Sequence, residues 1–251
     1  MKAEKEITPL QKLRSVEMET VRRFFRKGDR ALEIGAGSGW QGSIMANWGC
    51  DIACIDLPDR PKQERYFPVQ DYDGRKIPFE AGQFDIVFSS NVLEHVAELP
   101  LILAEIRRVL KPGGVAIHIL PTPGWRFFTN LSYYPFLFNK YVRGPKDRAA
   151  ERQENSTSSR VTSKGPLYLL KRALSAPPHG EYPTALSELY YFSRARWLRQ
   201  FKEGHFTPLE DAPTGLFYTG YSLLPSISIS KRRALARFLG SACRVYVMKS
   251  A

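Results

Sequence analysis

The sequence predicts an α/β protein whose mostly parallel sheet is covered by helices on both faces. Three observations predict it. Short apolar runs of strand length alternate with stretches of helical periodicity between residues 31 and 120. Glycine or proline marks most of the junctions. The runs themselves, such as Ala31-Leu32-Glu33-Ile34 and Phe84-Asp85-Ile86-Val87-Phe88, are too apolar for strands with one wet face.

The elements follow in order. Leu10, Leu13, Val16, Val21 and Phe24 recur at roughly helical spacing and predict a helix over 9–27, closed by Gly28-Asp29. A buried strand over 31–35 runs into a glycine turn, and a helix over 41–49 ends at Gly49. Residues 52–56 form a second strand that finishes on an acid. A third strand covers 84–90, an amphipathic helix 99–110, and another strand 115–120 after the stop signal Lys111-Pro112-Gly113-Gly114. There are no internal repeats or heptads.

The alternation breaks after Pro121-Thr122-Pro123. An aromatic cluster from Trp125 to Phe138 precedes a polar, basic stretch, 143–160, which is expected to be mobile. Order is expected again in a helix over 187–204 capped by Ser187. Two closing strands follow, 205–210 and 243–250. Between them lie an apolar run, 215–229, and a basic helix beginning at Lys231.

A chain of 251 residues can bury a sizeable core and suits a single domain. Its charged beginning predicts no secretory signal, and no stretch approaches the roughly 20 apolar residues of a membrane span. Cys50, Cys54 and Cys243 show neither metal nor disulfide spacing, so a reducing cytoplasm is expected. The net charge of +12 is uneven. Residues 1–124 hold 17 Lys/Arg and 17 Asp/Glu, whereas 125–251 hold 20 and 8. The second half therefore suits something anionic, although a solvated basic surface would look the same.

Gly35, Gly37 and Gly39 follow directly on the first strand, where a backbone can turn sharply and approach a ligand. A tight turn without any ligand has the same appearance. A dinucleotide fingerprint wants a third glycine five positions after the first, and Trp40 stands there. A P-loop is also absent. Asp56 closes the second strand, where its carboxylate suits the hydroxyls of a ribose.

With these residues in place, the chain resembles the class I methyltransferases that use S-adenosylmethionine (SAM), particularly the group acting on small molecules, lipids and sugars. The resemblance spans about residues 30–123. It rests on ALEIGAGSGW, IACIDLP, YDGRKIPFEAGQFDIVFSSNVLEHV and EIRRVLKPGG in that order. It implies a doubly wound, seven-stranded, Rossmann-like sheet, with an N-terminal helix over 1–28 and a SAM-binding core over 29–124. An insert over 125–186 would cover the cofactor, and 187–251 would supply a helix and the closing strands. It also implies roles. Glu33 would steady the glycine turn and the methionine amino group, Gly35, Gly37 and Gly39 would line the cofactor, and Asp56 would bind the ribose. Asp73, or failing it Asp71, would approach the adenine, and Asn91 would face the sulfonium.

Methyl transfer to a hydroxyl also needs a proton acceptor. His179 in the insert is the first candidate because it titrates near neutral pH, with Glu181 second and His95 next; His118 and His205 suit structural roles. Some relatives hold a divalent metal through an ExxEH motif at this point. Here Asn91 replaces the first acid, which leaves Glu94 and His95, so no metal is expected. The aromatic cluster suits either a lid or a small secondary core. The apolar run with its basic helix suits either an anionic membrane surface or plain packing. The expected activity is O-methylation of a small-molecule or lipid-linked sugar acceptor. An RNA or tRNA methyltransferase and a non-catalytic SAM-binding protein are the alternatives, although no nucleic-acid-binding module is recognisable.

Overall fold

A computed structural model describes residues 7–58, 65–142, 177–180, 184–221 and 226–250. Seven strands form one sheet: β1 (Arg30–Ile34), β2 (Asp51–Asp56), β3 (Gln70–Asp71), β4 (Phe84–Ser90), β5 (Leu110–Pro121), β6 (Phe206–Pro213) and β7 (Cys243–Ser250). Their order is β3-β2-β1-β4-β5-β7-β6. The first five strands pair in parallel, and β7 lies antiparallel between β5 and β6. The chain winds outward from β1 to β3 and then returns across β1 to β4. That reversal opens a crevice at the carboxyl ends of β1 and β4, where ligands collect in doubly wound sheets.

Alternate residues of each strand serve opposite faces. Leu32 and Ile34 pack with Ile102, Leu103 and Ile106 of α3 (Leu99–Val109) and with Trp197 and Phe201 of the C-terminal half. Ala31, Ile86 and Phe88 point the other way, into a cluster with Met18 and Val21 of α1 (Pro9–Val21) and Met45 of α2 (Trp40–Asn47). Both faces are thus covered, as the apolar strands require. Among the described residues no helix is long and apolar enough to cross a membrane.

Several boundaries differ from the sequence expectation, each for a local reason. Thr8 and Gln11 form a reciprocal capping box at the start of α1, and the helix tightens to a 3-10 turn over Arg22–Phe24 instead of running to residue 27. Lys111-Pro112-Gly113-Gly114 is no stop but part of β5. Leu110 pairs with Phe84, and the register then shifts so that Val115 pairs with Ile86. The predicted helix over 187–204 is two helices, α5 (Ser187–Tyr191) and α6 (Arg194–Glu203). Ser193, not Ser187, is the cap of α6, its hydroxyl accepting from the Arg196 N–H, while Ser187 bonds to Thr184 inside the first turn of α5.

The aromatic cluster folds as α4 (Pro123–Val142), with Pro135 inside it. Trp125, Thr129, Ser132 and Tyr133 bury one side of this helix, and Phe128 and Phe136 meet Phe217 and Tyr221 edge-on and stacked. Half of the cluster is therefore a secondary core. Phe127, Leu131, Tyr134 and Phe138, spaced four, three and four apart, form the opposite face and remain 47–68% exposed. The basic helix is α7 (Ile229–Leu239), capped by Ser228. The stretch 143–160 and Glu181 lie outside the described residues.

Candidate cofactor and acceptor site

The glycine turn sits in the crevice. Gly35, Gly37 and Gly39 have φ of 72°, 56° and 74°, a left-handed backbone that a side chain strains. Their surroundings differ. A Cβ on Gly39 would stand 2.7 Å from the Phe67 carbonyl, whereas one on Gly37 would meet nothing within 4 Å. Gly39 is thus a packing requirement, and Gly37 faces open space over the strand ends. Gly42 was not singled out in the sequence. A Cβ there would stand 2.4 Å from Cys54 Sγ and 3.0 Å from Glu33 Oε2, so it is this glycine that lets α2 lie on the sheet. Its three-residue spacing from Gly39 was the available signal.

Glu33 lies beneath that helix, 1% exposed, with Oε2 accepting from the Cys54 thiol at 3.4 Å. Burial pushes its pKa up to about 8. Asp56 ties the second strand to the glycine turn, with Oδ2 accepting from the Gly37 N–H at 2.6 Å and Oδ1 from the Leu57 N–H at 2.7 Å. Each oxygen keeps a second lone pair for a ligand hydroxyl. Asp71 is the strand partner of Asp56 on β3. Asp73 instead closes its own turn, Oδ1 accepting from the Arg75 and Lys76 N–H groups at 2.8 Å, which holds its carboxyl below the usual range.

Asn91 follows β4 with φ of 54°, a strained value for a residue with a side chain. Its N–H donates to the Ile119 carbonyl at 2.8 Å, which fixes the side chain at the head of the crevice. Behind it runs a buried chain that sequence reasoning missed, because its members are scattered. The Cys243 thiol lies 3.7 Å from Asn91 Oδ1 and 3.1 Å from the Tyr218 hydroxyl. Tyr218 donates to Glu17 at 2.9 Å, and Glu17 is paired with Arg14 at 2.7 Å. The N-terminal helix is therefore anchored beside Asn91.

Two candidates for proton transfer come together here. The rings of His95 and His179 are 4.8 Å apart, and Trp125 lies 4.8 Å from His179. The placement has a visible cause. Glu188 Oε1 accepts from the N–H groups of His179 and Gly180 at 2.6 Å, and Arg126 pairs with Glu188 at 2.6 Å while donating to the Pro177 carbonyl. Both charged side chains are buried, 2% and 0% exposed, so this ion pair is the internal strut of the segment. Desolvation, then His95, Arg126 and Arg14, push the pKa of His179 down to about 3 although the residue lies at the surface. Beside it Glu94 is fully buried and held protonated to about pH 8 by that burial.

The remaining histidines keep structural positions. His118 is buried in β5, bonded to the Ser89 hydroxyl at 2.8 Å and stacked on Phe201. His205 has φ of 60° just before β6 and is exposed.

Residues 32–118 match a protein family described as a methyltransferase domain. Among curated proteins, a ubiquinone biosynthesis O-methyltransferase of Bordetella avium is 30% identical over 149 residues, covering 54% of this chain and 58% of that protein. The match thus spans little more than half of that relative. Among solved structures, a chain of the complex between the Haloferax volcanii Trm112 methyltransferase activator and a protein described as a methyltransferase aligns with a TM-score of 0.57 and 13% identity. That alignment covers 96% of this chain and 92% of that one. A SAM-dependent methyltransferase of Mesorhizobium loti aligns with a TM-score of 0.53 and 14% identity over 93% and 97% of the two chains. At such identities the likeness is one of fold.

Proposed function

We propose that this chain is a class I SAM-dependent methyltransferase that methylates a hydroxyl of a small-molecule or lipid-linked acceptor, such as a sugar. The matched domain and the fold support the coarser statement, a SAM-dependent methyltransferase. The observation that carries it is the link between Asp56 and Gly37: the acid that closes β2 is bonded to the one glycine of the turn that faces open space.

In this reading the glycine turn and Glu33 hold the methionine part of SAM, and Asp56 holds the ribose. Asp71 serves the adenine end, with Asp73 occupied in its own turn. Asn91 stands at the sulfonium. Methyl transfer is an in-line displacement, so alignment and water exclusion supply much of the rate. The acceptor lies on the side of the turn after β4 where the rings of His95, His179 and Trp125 meet. His179 is neutral throughout the physiological range and accepts a hydrogen bond from the acceptor hydroxyl. With a pKa near 3 it orients that hydroxyl more effectively than it deprotonates it. Glu181 keeps its place as a candidate from the same loop.

The hydroxyl acceptor draws support from the O-methyltransferase named among the relatives. A cytoplasmic protein touching the inner membrane face draws support from the exposed apolar side of α4 and the basic α7. Calorimetry tests the cofactor. SAM binds and NAD does not, and Asp56→Ala weakens SAM binding by about 1.5–3 kcal/mol, the range for losing hydrogen bonds to a charged group. Tight NAD binding without SAM binding ends this reading. Salt-sensitive binding of RNA by the purified protein would favour the tRNA alternative.

A further inference from the structure

We infer that the acceptor carries an anionic group, a carboxylate or a phosphate, and that the guanidinium of Arg14 on α1 receives it. The inference rests on the methyltransferase reading above and adds the acceptor's charge to it. Arg14 donates through Nη1 to Glu17 Oε2 at 2.7 Å, its one hydrogen bond among the described residues. A guanidinium offers several further N–H groups in a rigid fork, and these have no protein partner. The side chain is 17% exposed, and none of its nitrogens is among the buried polar atoms that lack a partner. The unused donors therefore open onto accessible space and are not sealed inside the protein.

A fixed support aims this fork. Glu17 is fully buried, and its other oxygen accepts from the Tyr218 hydroxyl at 2.9 Å. That hydroxyl lies 3.1 Å from Cys243 Sγ, which lies 3.7 Å from Asn91 Oδ1. Arg14 also acts electrostatically on Glu94 and on His179. It thus stands on the side of Asn91 where the rings of His95 and His179 meet. An arginine held to one carboxylate keeps the rest of its planar fork for a second anion.

The charges point the same way. Arg14 and Glu17 cancel each other. Burial pushes Tyr218 and Cys243 up, so both stay uncharged. Glu94 keeps its proton to about pH 8, and His179, pushed down to about 3, is neutral at physiological pH. These groups together leave nothing to balance the positive sulfonium that SAM would bring to Asn91. A charge withdrawn from water is costly unless it is paired. An anionic acceptor supplies the pair, and Arg14, by holding that anion, fixes where the neighbouring hydroxyl stands. A neutral acceptor would use neither feature.

Inorganic phosphate is the probe. The protein is titrated with it calorimetrically at physiological salt, which screens exposed basic side chains. The titration is run on the protein alone, with SAM and with S-adenosylhomocysteine, which lacks the sulfonium charge. One phosphate per chain is expected, bound about threefold or more tightly with SAM than with S-adenosylhomocysteine. Binding should weaken at least about tenfold in Arg14→Lys, whose single ammonium is taken up by Glu17. The same loss is expected when Arg14→Met is combined with Glu17→Gln, a pair that leaves no buried charge unpaired and keeps an acceptor for Tyr218. Circular dichroism matching the unsubstituted protein checks the fold of both variants. Absence of phosphate binding, binding that both variants retain, or equal affinity with the two cofactors overturns the inference while SAM still binds. Failure of SAM itself to bind would instead end the methyltransferase reading.

Discussion

Glu33 shows how one buried carboxyl makes stability depend on pH. Its folded pKa, near 8, is above that of an ordinary glutamate, so the folded chain retains a proton that the unfolded chain releases. Its contribution to stability is therefore complete below about pH 4.5 and is lost as pH rises through about 8. Glu33→Gln cannot ionise, and its Tm should fall less than that of the natural sequence between pH 5 and 9. SAM carries an ammonium group, so cofactor affinity should rise toward pH 8 in the natural sequence and stay flat in the variant. Parallel pH curves for the two proteins would show that Glu33 does not meet the cofactor. His118 and His179, both pushed down to about 3, work in the other direction. Their contribution is present above about pH 6.5 and is lost as pH falls toward 3. The structural role expected for His118 was legible from its place inside an apolar strand. The low pKa of His179 was not, because it comes from residues distant in sequence.

At the scale of elements, the glycines around α2 separate binding from packing. Gly37→Ala meets open space, so its cost is backbone strain of about 1–2 kcal/mol. Its methyl group would occupy the place proposed for the cofactor, and SAM affinity should fall by more than tenfold. Gly42→Ala drives a methyl group into Cys54 and Glu33, which should cost about 1–3 kcal/mol of stability. Denaturant titration and calorimetry on the pair distinguish the two effects. Equal losses of stability and of affinity in both variants would refute the separation. The strands of this half were legible because they are buried on both faces and bounded by glycine. The length of β5 was not, since its bulge across Lys111–Gly114 depends on pairing with β4. Nor was α4, whose aromatic composition concealed a helical spacing that divides the cluster into an inner and an outer face.

For the whole molecule, the uneven charge acquires a location. α7 presents Lys231, Arg233 and Arg237 to solvent, and its end reaches the first turn of α4, where a Cβ on Gly124 would lie 3.7 Å from the Leu239 carbonyl. The basic helix itself carries the exposed Phe238, and its end lies at the start of α4, the helix with the exposed apolar face. Apolar anchors beside cations suit the surface of an anionic bilayer. The protein should sediment with vesicles containing phosphatidylserine and much less with purely zwitterionic ones. Replacing Phe127 and Phe138 with Asp should reduce that binding at least about tenfold. Equal sedimentation by the doubly substituted protein would place the contact elsewhere.

The sequence by itself determined the class of fold, the order of β1, β2, β4 and β5 with the helices between them, the glycine turn, and the acids that close β1 and β2, whereas the two-residue β3 escaped it. These are local matters, since periodicity, caps and glycine positions act within a few residues of one another. Only the tertiary structure decided that α1 reaches the head of the crevice through Glu17 and Tyr218. The strut between Arg126 and Glu188, and the meeting of His179 with Glu94 and His95, were decided there too. Those contacts join segments that are remote along the chain. Their physical cause is the shared burial of charged groups, which must find partners once the sheet closes and water is excluded.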